Sequence, residues 1–222
     1  MTSKLPTIAV LGGTGAEGSG LAFRWARAGY KVIIGSRDAS RAGEAAAAID
    51  QTGITGADNE TAARECDIAV LTVPFAAQRE TLAQVRAELQ GKILIDVTVP
   101  LAPPRVSRVQ LPAEGSAAQL AQATLGDGVE VVSAFQSVSA HHLKDPDYKI
   151  DCDVLVCGDG KEAREAAIVL VEAAGMNGIH AGPLANAAAS EALTSVLIWI
   201  NRRYKVPSAG IRITGLDGGE TG

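Results

Sequence analysis

The sequence predicts an α/β protein of the Rossmann type, with a doubly wound, mostly parallel sheet and a small C-terminal helical extension. Short apolar runs rich in β-branched residues alternate with Ala-rich amphipathic segments, which is typical of βαβ units with right-handed crossovers. Several runs are apolar on successive residues, as expected for strands that are covered on both faces. A glycine-rich loop separates the first apolar run from the first helical segment.

Each predicted strand is a short apolar run that ends at turn residues or at a helical pattern. We predict strands over Thr7–Leu11, Lys31–Gly35, Asp67–Val73, Lys92–Val99, Val129–Phe135 and Asp153–Val156. A further short run, Ile179-His180-Ala181, lies near the end of the predicted sheet. We predict helices over Gly18–Ala28, Ala39–Asp50, Asn59–Glu65, Ala77–Gln90, Ser116–Leu125, Glu162–Ala174 and Asn186–Tyr204.

Boundary residues agree with these elements. Gly29 stands just after the first helix, where a C′ glycine commonly ends a helix. Asp38 stands where the N-cap of the second helix belongs. The stretch 100–112 contains four prolines and cannot form a helix interior, so it predicts an extended connection.

The last predicted helix closes the fold. Its apolar positions recur at i, i+3, i+4 and i+7, which predicts a stripe that faces the core. The stripe consists of Leu193, Val196, Leu197 and Ile200. The tail Asp217–Gly222 is rich in glycine and charge, and we predict that it is disordered.

Composition excludes several classes of protein. The 222 residues include 25 acidic and 20 basic side chains, and the net charge of −5 with no basic cluster disfavours nucleic acid and anionic membranes as partners. No apolar run approaches the roughly 18–20 residues that span a bilayer. The three cysteines are scattered and form no zinc-site spacing, so we predict free thiols, no metal and a cytosolic protein.

The glycine loop predicts a dinucleotide site. Gly13, Gly15 and Gly18 fit the G-x-G-x-x-G pattern between a strand and a helix. The first glycine permits the turn, the second lets a pyrophosphate approach the backbone, and the third lets the helix pack close to the strand. The helix N-terminus then offers unpaired N–H groups and a positive dipole end to the phosphates.

The end of the second strand favours NADP(H) over NAD(H). An NAD site places an acidic residue there to hold the ribose hydroxyls, whereas this chain has Ser36 followed by Arg37, with Arg41 four residues further on. A guanidinium and a hydroxyl suit a phosphomonoester, which a carboxylate would repel. Asp38 follows too late for the acidic position, and its role as an N-cap accounts for it.

Three further strand ends should line the crevice at the carboxyl edge of the sheet. They contribute Val73, Pro74 and Phe75, then Val99 and Pro100, and then Gln136 and Ser137. His141, His142 and His180 have no orienting carboxylate at a suitable spacing, and the sequence offers no other acid–base set. We therefore expect hydride transfer by positioning alone, with no catalytic side chain.

The chain resembles the NADPH-dependent reductases of the deazaflavin coenzyme F420. The resemblance rests on the first strand and glycine loop, on Gly35-Ser36-Arg37, on the segment 67–74, and on the motifs at 154–159 and 181–184. It runs to about Leu216. The same architecture is similar to the cytosolic oxidoreductase portion of the transmembrane ferric reductases.

The resemblance implies hydride transfer between the nicotinamide C4 and the deazaflavin C5, in a homodimer. Residues 1–182 would form the NADP-binding domain, and residues 183–222 a helical segment that completes the acceptor crevice. Family positions imply that the loop residues Thr14, Gly15, Ala16 and Glu17 meet the pyrophosphate, that Ser36, Arg37 and Arg41 hold the 2′-phosphate, and that Val73, Pro74 and Phe75 line the nicotinamide side. Gln136, Ser137 and Thr194 would face the acceptor.

Two positions depart from archaeal members of the family. Gln136 replaces a histidine near the deazaflavin, and Ala188 replaces an arginine in the last helix. These changes leave the nucleotide site intact but keep other acceptors open, such as a flavin or a quinone. The missing acid–base set also leaves open a non-catalytic sensor of NADP(H).

Overall fold

The computed structural model describes residues 5–49 and 51–216. Its strands form one sheet in the order β3-β2-β1-β4-β5-β6-β7-β8. The strands are β1 Ile8–Leu11, β2 Val32–Ser36, β3 Ile54–Asp58, β4 Ile68–Leu71, β5 Ile93–Asp96, β6 Glu130–Ser133, β7 Asp153–Gly158 and β8 Asn177–His180. The α-helices are α1 Ala16–Arg27, α2 Ala39–Ala47, α3 Asn59–Glu65, α4 Phe75–Val85, α5 Ala117–Leu125, α6 Lys161–Ala173 and α7 Ala187–Tyr204.

The predicted fold class is confirmed. β1 pairs in parallel with both β2 and β4, so that Val10 lies beside Ile34 and Val70. The antiparallel pair in the described sheet joins β6 to β7, where Ser133 lies beside Cys157. All six predicted strands and all seven predicted helices are present, with shifts of a few residues at their ends.

Two strands escaped prediction, and both lie at the edges of the sheet. β3 has the sequence ITGAD and is only partly buried, and β8 has the sequence NGIH and is partly to fully exposed. An edge strand has fewer neighbours to cover it, so its sequence lacks the continuous apolar run that marks a central strand.

The core lies on both faces of the sheet. One apolar cluster lies against α1 and α6, and the other lies against α3, α4 and α5. In the first cluster the Trp25 ring meets the Phe135 ring edge to face at 5.9 Å, and its Nε1 donates to the Leu170 carbonyl at 2.8 Å. Buried indoles require such a partner for their N–H group.

The predicted boundary residues act as expected. Gly29 has a φ of +92°, which a glycine adopts without strain at the end of α1. The Asp38 carboxylate accepts a hydrogen bond from the Ser40 N–H at 2.8 Å and caps α2. The predicted disordered tail, Asp217–Gly222, lies outside the described residues.

The predicted apolar stripe of the last helix is confirmed only in part: Leu197 is buried, and Leu193 and Ile200 are half-buried. In α7 the buried residues are Ala187, Ser190, Glu191, Ser195 and Leu197, whereas Val196 is 44% exposed. The buried face of α7 is polar because it packs over α5 and uses Glu191 there. Helical spacing alone could not distinguish this face from the apolar one.

The cysteines and the helices agree with the compositional expectations. Cys66, Cys152 and Cys157 are free and buried. Within residues 5–49 and 51–216, no helix is long and apolar enough to cross a membrane.

Candidate functional site

The glycine loop lies at the carboxyl end of β1 and is packed too tightly for side chains. Gly12 has a φ of +68°, and a Cβ there would lie 2.2 Å from the Val73 Cγ1 atom. A Cβ on Gly18 would lie 2.7 Å from the Gly13 Cα atom, so α1 begins in close contact with the loop. Gly15 has open space where its Cβ would be. At Gly13, the first glycine of the motif, a Cβ would lie 2.7 Å from the Val10 carbonyl oxygen.

The N-terminus of α1 is left open. Gly15 occupies the N-cap position, and no side chain caps the helix. Thr14, Gly15 and Ala16 are exposed. The first N–H groups of α1 therefore face an open surface, which suits an anionic ligand.

Asn59 holds the loop in place, and sequence reasoning missed it. Its Oδ1 accepts a hydrogen bond from the Gly12 N–H at 3.2 Å, and the residue is buried at the start of α3. The preceding Asp58 caps α3 by accepting from the Thr61 N–H at 2.8 Å. The Asp-Asn pair before a helical segment was the available signal, but β3 had not been identified as the strand that precedes it.

A first crevice of about 180 Å³ lies beyond the end of β2. The predicted phosphate-binding side chains come together there, since Ser36, Arg37 and Arg41 share the crevice with Thr14. Arg37 and Arg41 are exposed, and neither guanidinium has a hydrogen bond or ion pair with any residue that the structure describes. Asp38 also lines this crevice, but one of its carboxylate oxygens is engaged in capping α2.

A second crevice of about 280 Å³ lies on the other side of the turn after β4. Val73 and Pro74 line both crevices, so the two adjoin along this turn. The second crevice is mainly apolar. Its lining residues are Glu17, Thr72, Val73, Pro74, Phe75, Val97, Val99 and Leu101. The predicted Val99 is among them, whereas the predicted Pro100 is buried and does not line it.

The side chain of Glu17 lies in this apolar crevice. Its backbone belongs to the first turn of α1, as expected from the glycine motif. Its Oε1 atom is buried, and no described residue donates a hydrogen bond to it. Burial raises the pKa of the Glu17 carboxyl to about 8. The sequence pattern located the backbone of Glu17 but not its side chain.

Two of the three predicted acceptor-side residues, Gln136 and Thr194, are joined by a hydrogen bond. The Thr194 hydroxyl donates to the Gln136 carbonyl at 2.7 Å, and the Gln136 Nε2 donates to the Asp96 carbonyl at 2.7 Å. Ser137 is also buried, but it lines a different cavity of about 240 Å³ together with His142 and Tyr148. None of the three predicted acceptor-side residues lines the crevice beside Val73.

A buried acidic network supports the acceptor side, and sequence reasoning missed it. Glu191 of α7 accepts hydrogen bonds from the N–H groups of Ala117 at 2.6 Å and Ala118 at 3.0 Å, at the start of α5. Gln78 donates from Nε2 to the Asp96 carboxylate at 2.6 Å and to the Ala117 carbonyl at 2.9 Å. The contacts join α4, α5, α7 and the end of β5.

Burial dominates the electrostatics of this network. It raises the pKa of Asp96 to about 6, although hydrogen bonds from Thr98 and Gln78 act in the opposite direction. It raises the pKa of Glu191 to about 8, and the nearby Asp96 adds to the effect while the two N–H donors oppose it. Both carboxyls lie behind the crevice rather than in it.

The histidines do not join either crevice. His142 stacks on Tyr148 at 3.7 Å between ring centroids, and His141 lies against His142. His180 lies at the end of the edge strand β8. Within the described parts of the chain, no group of three His, Cys, Asp or Glu side chains could hold a metal ion.

Comparisons with known proteins agree with this geometry. The family model described as "NADP oxidoreductase coenzyme F420-dependent" matches residues 7–100. The F420-dependent NADP reductase of Methanothermobacter thermautotrophicus is 44% identical over 221 residues, which cover 94% of this chain and 95% of that protein. Metalloreductase STEAP3 of Rattus norvegicus is 29% identical over 91% of this chain and 38% of that protein.

A solved structure confirms the fold. A crystal structure of a protein from Arthrobacter sp. FB24 matches with a TM-score of 0.80 at 24% identity, and the match covers 95% of this chain and all of that one. The match to the Methanothermobacter reductase extends over nearly the whole of both chains. The chain therefore belongs to the family of F420-dependent NADP oxidoreductases.

Proposed function

We propose that the protein transfers a hydride directly between NADP(H) and the deazaflavin coenzyme F420. One observation carries the proposal: an open, cationic crevice and an apolar crevice adjoin along Val73 and Pro74 at the carboxyl edge of the sheet. The 44% identity to a relative named F420-dependent NADP reductase supports the choice of acceptor. The residues proposed below define how the site would work.

The first crevice fits the adenosine end of NADP(H). Arg37 and Arg41 present guanidinium groups that no described residue pairs, and Ser36 adds a hydroxyl beside them. Charge-assisted bonds from such groups to a 2′-phosphate are strong. The open N-terminus of α1 would receive the pyrophosphate through the backbone of residues 13–18.

The second crevice fits the nicotinamide. Val73, Pro74, Phe75 and Val99 would exclude water from the ring, with Pro100 as support behind them. Nicotinamide C4 gives a hydride to C5 of the deazaflavin, and the reduced deazaflavin takes up one proton from water, so that NADPH, F420 and H⁺ yield NADP⁺ and reduced F420. The protein's contribution would be to hold the two carbons about 3–3.5 Å apart.

The C-terminal segment would complete the acceptor side. We propose that residues 1–182 form the nucleotide-binding unit, which contributes Gln136 to the acceptor side, and that residues 183–222 complete the acceptor crevice through Thr194. The bond between the Thr194 hydroxyl and the Gln136 carbonyl supports this role for α7.

The test is an absorbance assay. NADPH, pure coenzyme F420 and the protein are mixed, and absorbance is followed at 420 nm, where loss of the oxidised deazaflavin should be seen. Absence of turnover in both directions, with saturable NADPH binding intact, would contradict the choice of acceptor.

A second candidate keeps the nucleotide and changes the acceptor to a flavin or a quinone. Gln136 and Ala188 favour it. Gln136 lacks the imidazole, and Ala188 lacks the cation, that archaeal members have at these positions. A screen of acceptors followed at 340 nm would distinguish the two. Saturable NADPH binding without turnover on any acceptor would instead indicate a sensor.

We further propose a homodimer formed through α7. Trp199 is 61% exposed and Val196 is 44% exposed, which is unusual for apolar side chains on one helix. Light scattering should then give twice the mass of 22.8 kDa. A monomer at working concentration would contradict this assembly.

A further inference from the structure

Glu17 is an unsatisfied acid in an apolar crevice. Its Oε1 atom is buried and accepts no hydrogen bond from the described residues, although part of the side chain remains accessible. Native proteins leave few buried polar atoms without a partner, and such atoms commonly await a ligand or water. Glu17 lines the crevice, so its unpartnered carboxyl lies beside the space that a ligand would occupy.

The surroundings of Glu17 are free of other ionisable groups. The turn after β4 contributes Thr72, Val73, Pro74 and Phe75, and the connection after β5 contributes Val97, Val99 and Leu101. Thr72 is the polar member of these, and its hydroxyl donates to the Leu11 carbonyl at 3.1 Å. No other titratable or charged side chain lines the crevice among the described residues.

The protonation state of Glu17 follows from this environment. Burial raises its pKa to about 8, so the carboxyl is mostly protonated in the free protein at neutral pH. A protonated carboxyl offers one O–H donor and one carbonyl acceptor, whereas a carboxylate only accepts. These two states therefore suit different ligands.

We propose that Glu17 binds the nicotinamide end of the nucleotide and distinguishes its two redox states. The protonated acid would pair with the carboxamide of NADPH, donating to its carbonyl and accepting from its amide. The carboxylate would pair with NADP⁺, whose ring carries one positive charge. This inference rests on the proposed binding of NADP(H) but not on the identity of the hydride acceptor.

The proposal predicts whether Glu17 releases a proton when each nucleotide binds. When NADP⁺ binds near neutral pH, the Glu17 carboxyl releases its proton to water, because the cationic ring lowers its pKa. When NADPH binds, the neutral ring leaves the proton on the carboxyl. No bond of the nucleotide is made or broken by Glu17, so it acts as a positioning and selecting residue.

The experiment measures the dissociation constants of NADP⁺ and NADPH by calorimetry between pH 6.5 and 9.5. The ratio of the two constants is informative, because both nucleotides carry the same 2′-phosphate and pyrophosphate, whose titration cancels. For the wild type the ratio Kd(NADP⁺)/Kd(NADPH) should fall by about tenfold as pH rises through the pKa of Glu17. The fall reflects tighter binding of NADP⁺ and weaker binding of NADPH.

Two variants complete the test. Glu17→Gln keeps a donor and an acceptor for the carboxamide but cannot ionise, so its ratio should not change with pH. Glu88→Gln is a matched control, because Glu88 also has a buried, unpartnered carboxyl oxygen but lies after α4, away from both crevices. Its ratio should follow that of the wild type.

A third measurement needs no variant. Calorimetry at pH 7 in buffers with different ionisation enthalpies should show release of a clear fraction of one proton on binding NADP⁺ and almost none on binding NADPH. A flat ratio in a wild type that binds both nucleotides, or the same slope in Glu17→Gln, would overturn the role of Glu17 alone. Failure of the wild type to bind either nucleotide would overturn this inference and the proposed function together.

Discussion

The charged groups at the two ends of the site have opposite surroundings. At the end of β2, Arg37 and Arg41 are exposed and unpaired by the described residues, and the N-terminus of α1 has no cap. Near the end of β5, Asp96 and the α7 residue Glu191 are buried and hydrogen-bonded to partners far away in the sequence. Unpaired groups are available to a charged ligand, whereas paired ones hold elements together. The comparison therefore distinguishes residues that are available to bind a ligand from residues that stabilise the fold.

The contrast predicts different effects for mutations at the two ends. Changes at the β2 end should weaken the binding of the nucleotide and leave the stability of the fold almost unchanged. Changes near the end of β5 should lower stability first, and reach the chemistry only through the shape of the acceptor side.

The largest effect is expected at Glu191. The change Glu191→Ala removes the acceptor for the N–H groups of Ala117 and Ala118 and leaves both buried. We expect a loss of about 2–5 kcal/mol in the free energy of unfolding, since each orphaned buried donor is costly. Urea denaturation followed by circular dichroism would measure it.

A neighbouring variant provides the control for Glu191. The Ser190 hydroxyl donates to the Ala187 carbonyl, so its hydrogen bond stays within α7. Ser190→Ala should therefore be much milder. Equal losses of unfolding free energy for the two variants would show that α7 is sensitive to any substitution. The hydrogen bonds between Glu191 and α5 would then contribute no particular stability.

The next effect is expected at Arg37. The change Arg37→Ala removes one guanidinium from the first crevice, and we expect the dissociation constant of NADPH to rise by one to two orders of magnitude, or about 1.5–3 kcal/mol. NADH lacks the 2′-phosphate, so its binding should hardly change. Calorimetry with both nucleotides measures the difference.

Two outcomes would contradict the role of Arg37. Equal loss for NADPH and NADH would show that Arg37 supports the loop rather than the phosphate. A large fall in stability would show that the β2 end also holds the fold together. Arg79→Ala serves as the control, because that arginine is exposed on α4 and pairs with Glu114 at 3.1 Å.

The same contrast explains which features the sequence alone could predict. The glycine loop and Ser36-Arg37 were predictable because each acts through residues close to it in the chain. Asn59 and Glu191 were not, because the first depends on the edge strand β3 and the second reaches 74 residues back to Ala117. Helical periodicity missed the polar part of the buried face of α7 for the same reason: Glu191 meets the N-terminus of α5, which favours a carboxylate over leucine.

Glu17 falls between these two cases. The motif located its backbone, but the direction of its side chain depends on the turn after β4 and on the connection after β5. A carboxylate beside the proposed pyrophosphate site would repel the ligand, whereas the Glu17 side chain lies in the apolar crevice instead. Side-chain direction near a ligand is thus set by tertiary contacts even where the backbone is set by a local motif.

The smallest effect is expected at Thr194, and it tests whether the two ends are independent. The change Thr194→Val keeps the shape of the side chain and removes the hydroxyl that donates to the Gln136 carbonyl. One lost hydrogen bond predicts a loss of about 0.5–1.5 kcal/mol in unfolding free energy. Steady-state kinetics should show a higher KM for the acceptor, while calorimetry should show an unchanged dissociation constant for NADPH.

The value of this variant lies in the pairing of its two readouts. The dissociation constant of NADPH could change by the same factor as the KM for the acceptor. That result would mean that a contact in α7 affects the nucleotide site at the end of β2, and that the two ends of the site are not independent. An unchanged NADPH constant with a raised acceptor KM would instead place the influence of α7 on the acceptor alone. Since Thr194 contacts Gln136, which in turn contacts the Asp96 carbonyl at the end of β5, the second result is the one that the hydrogen bonds predict.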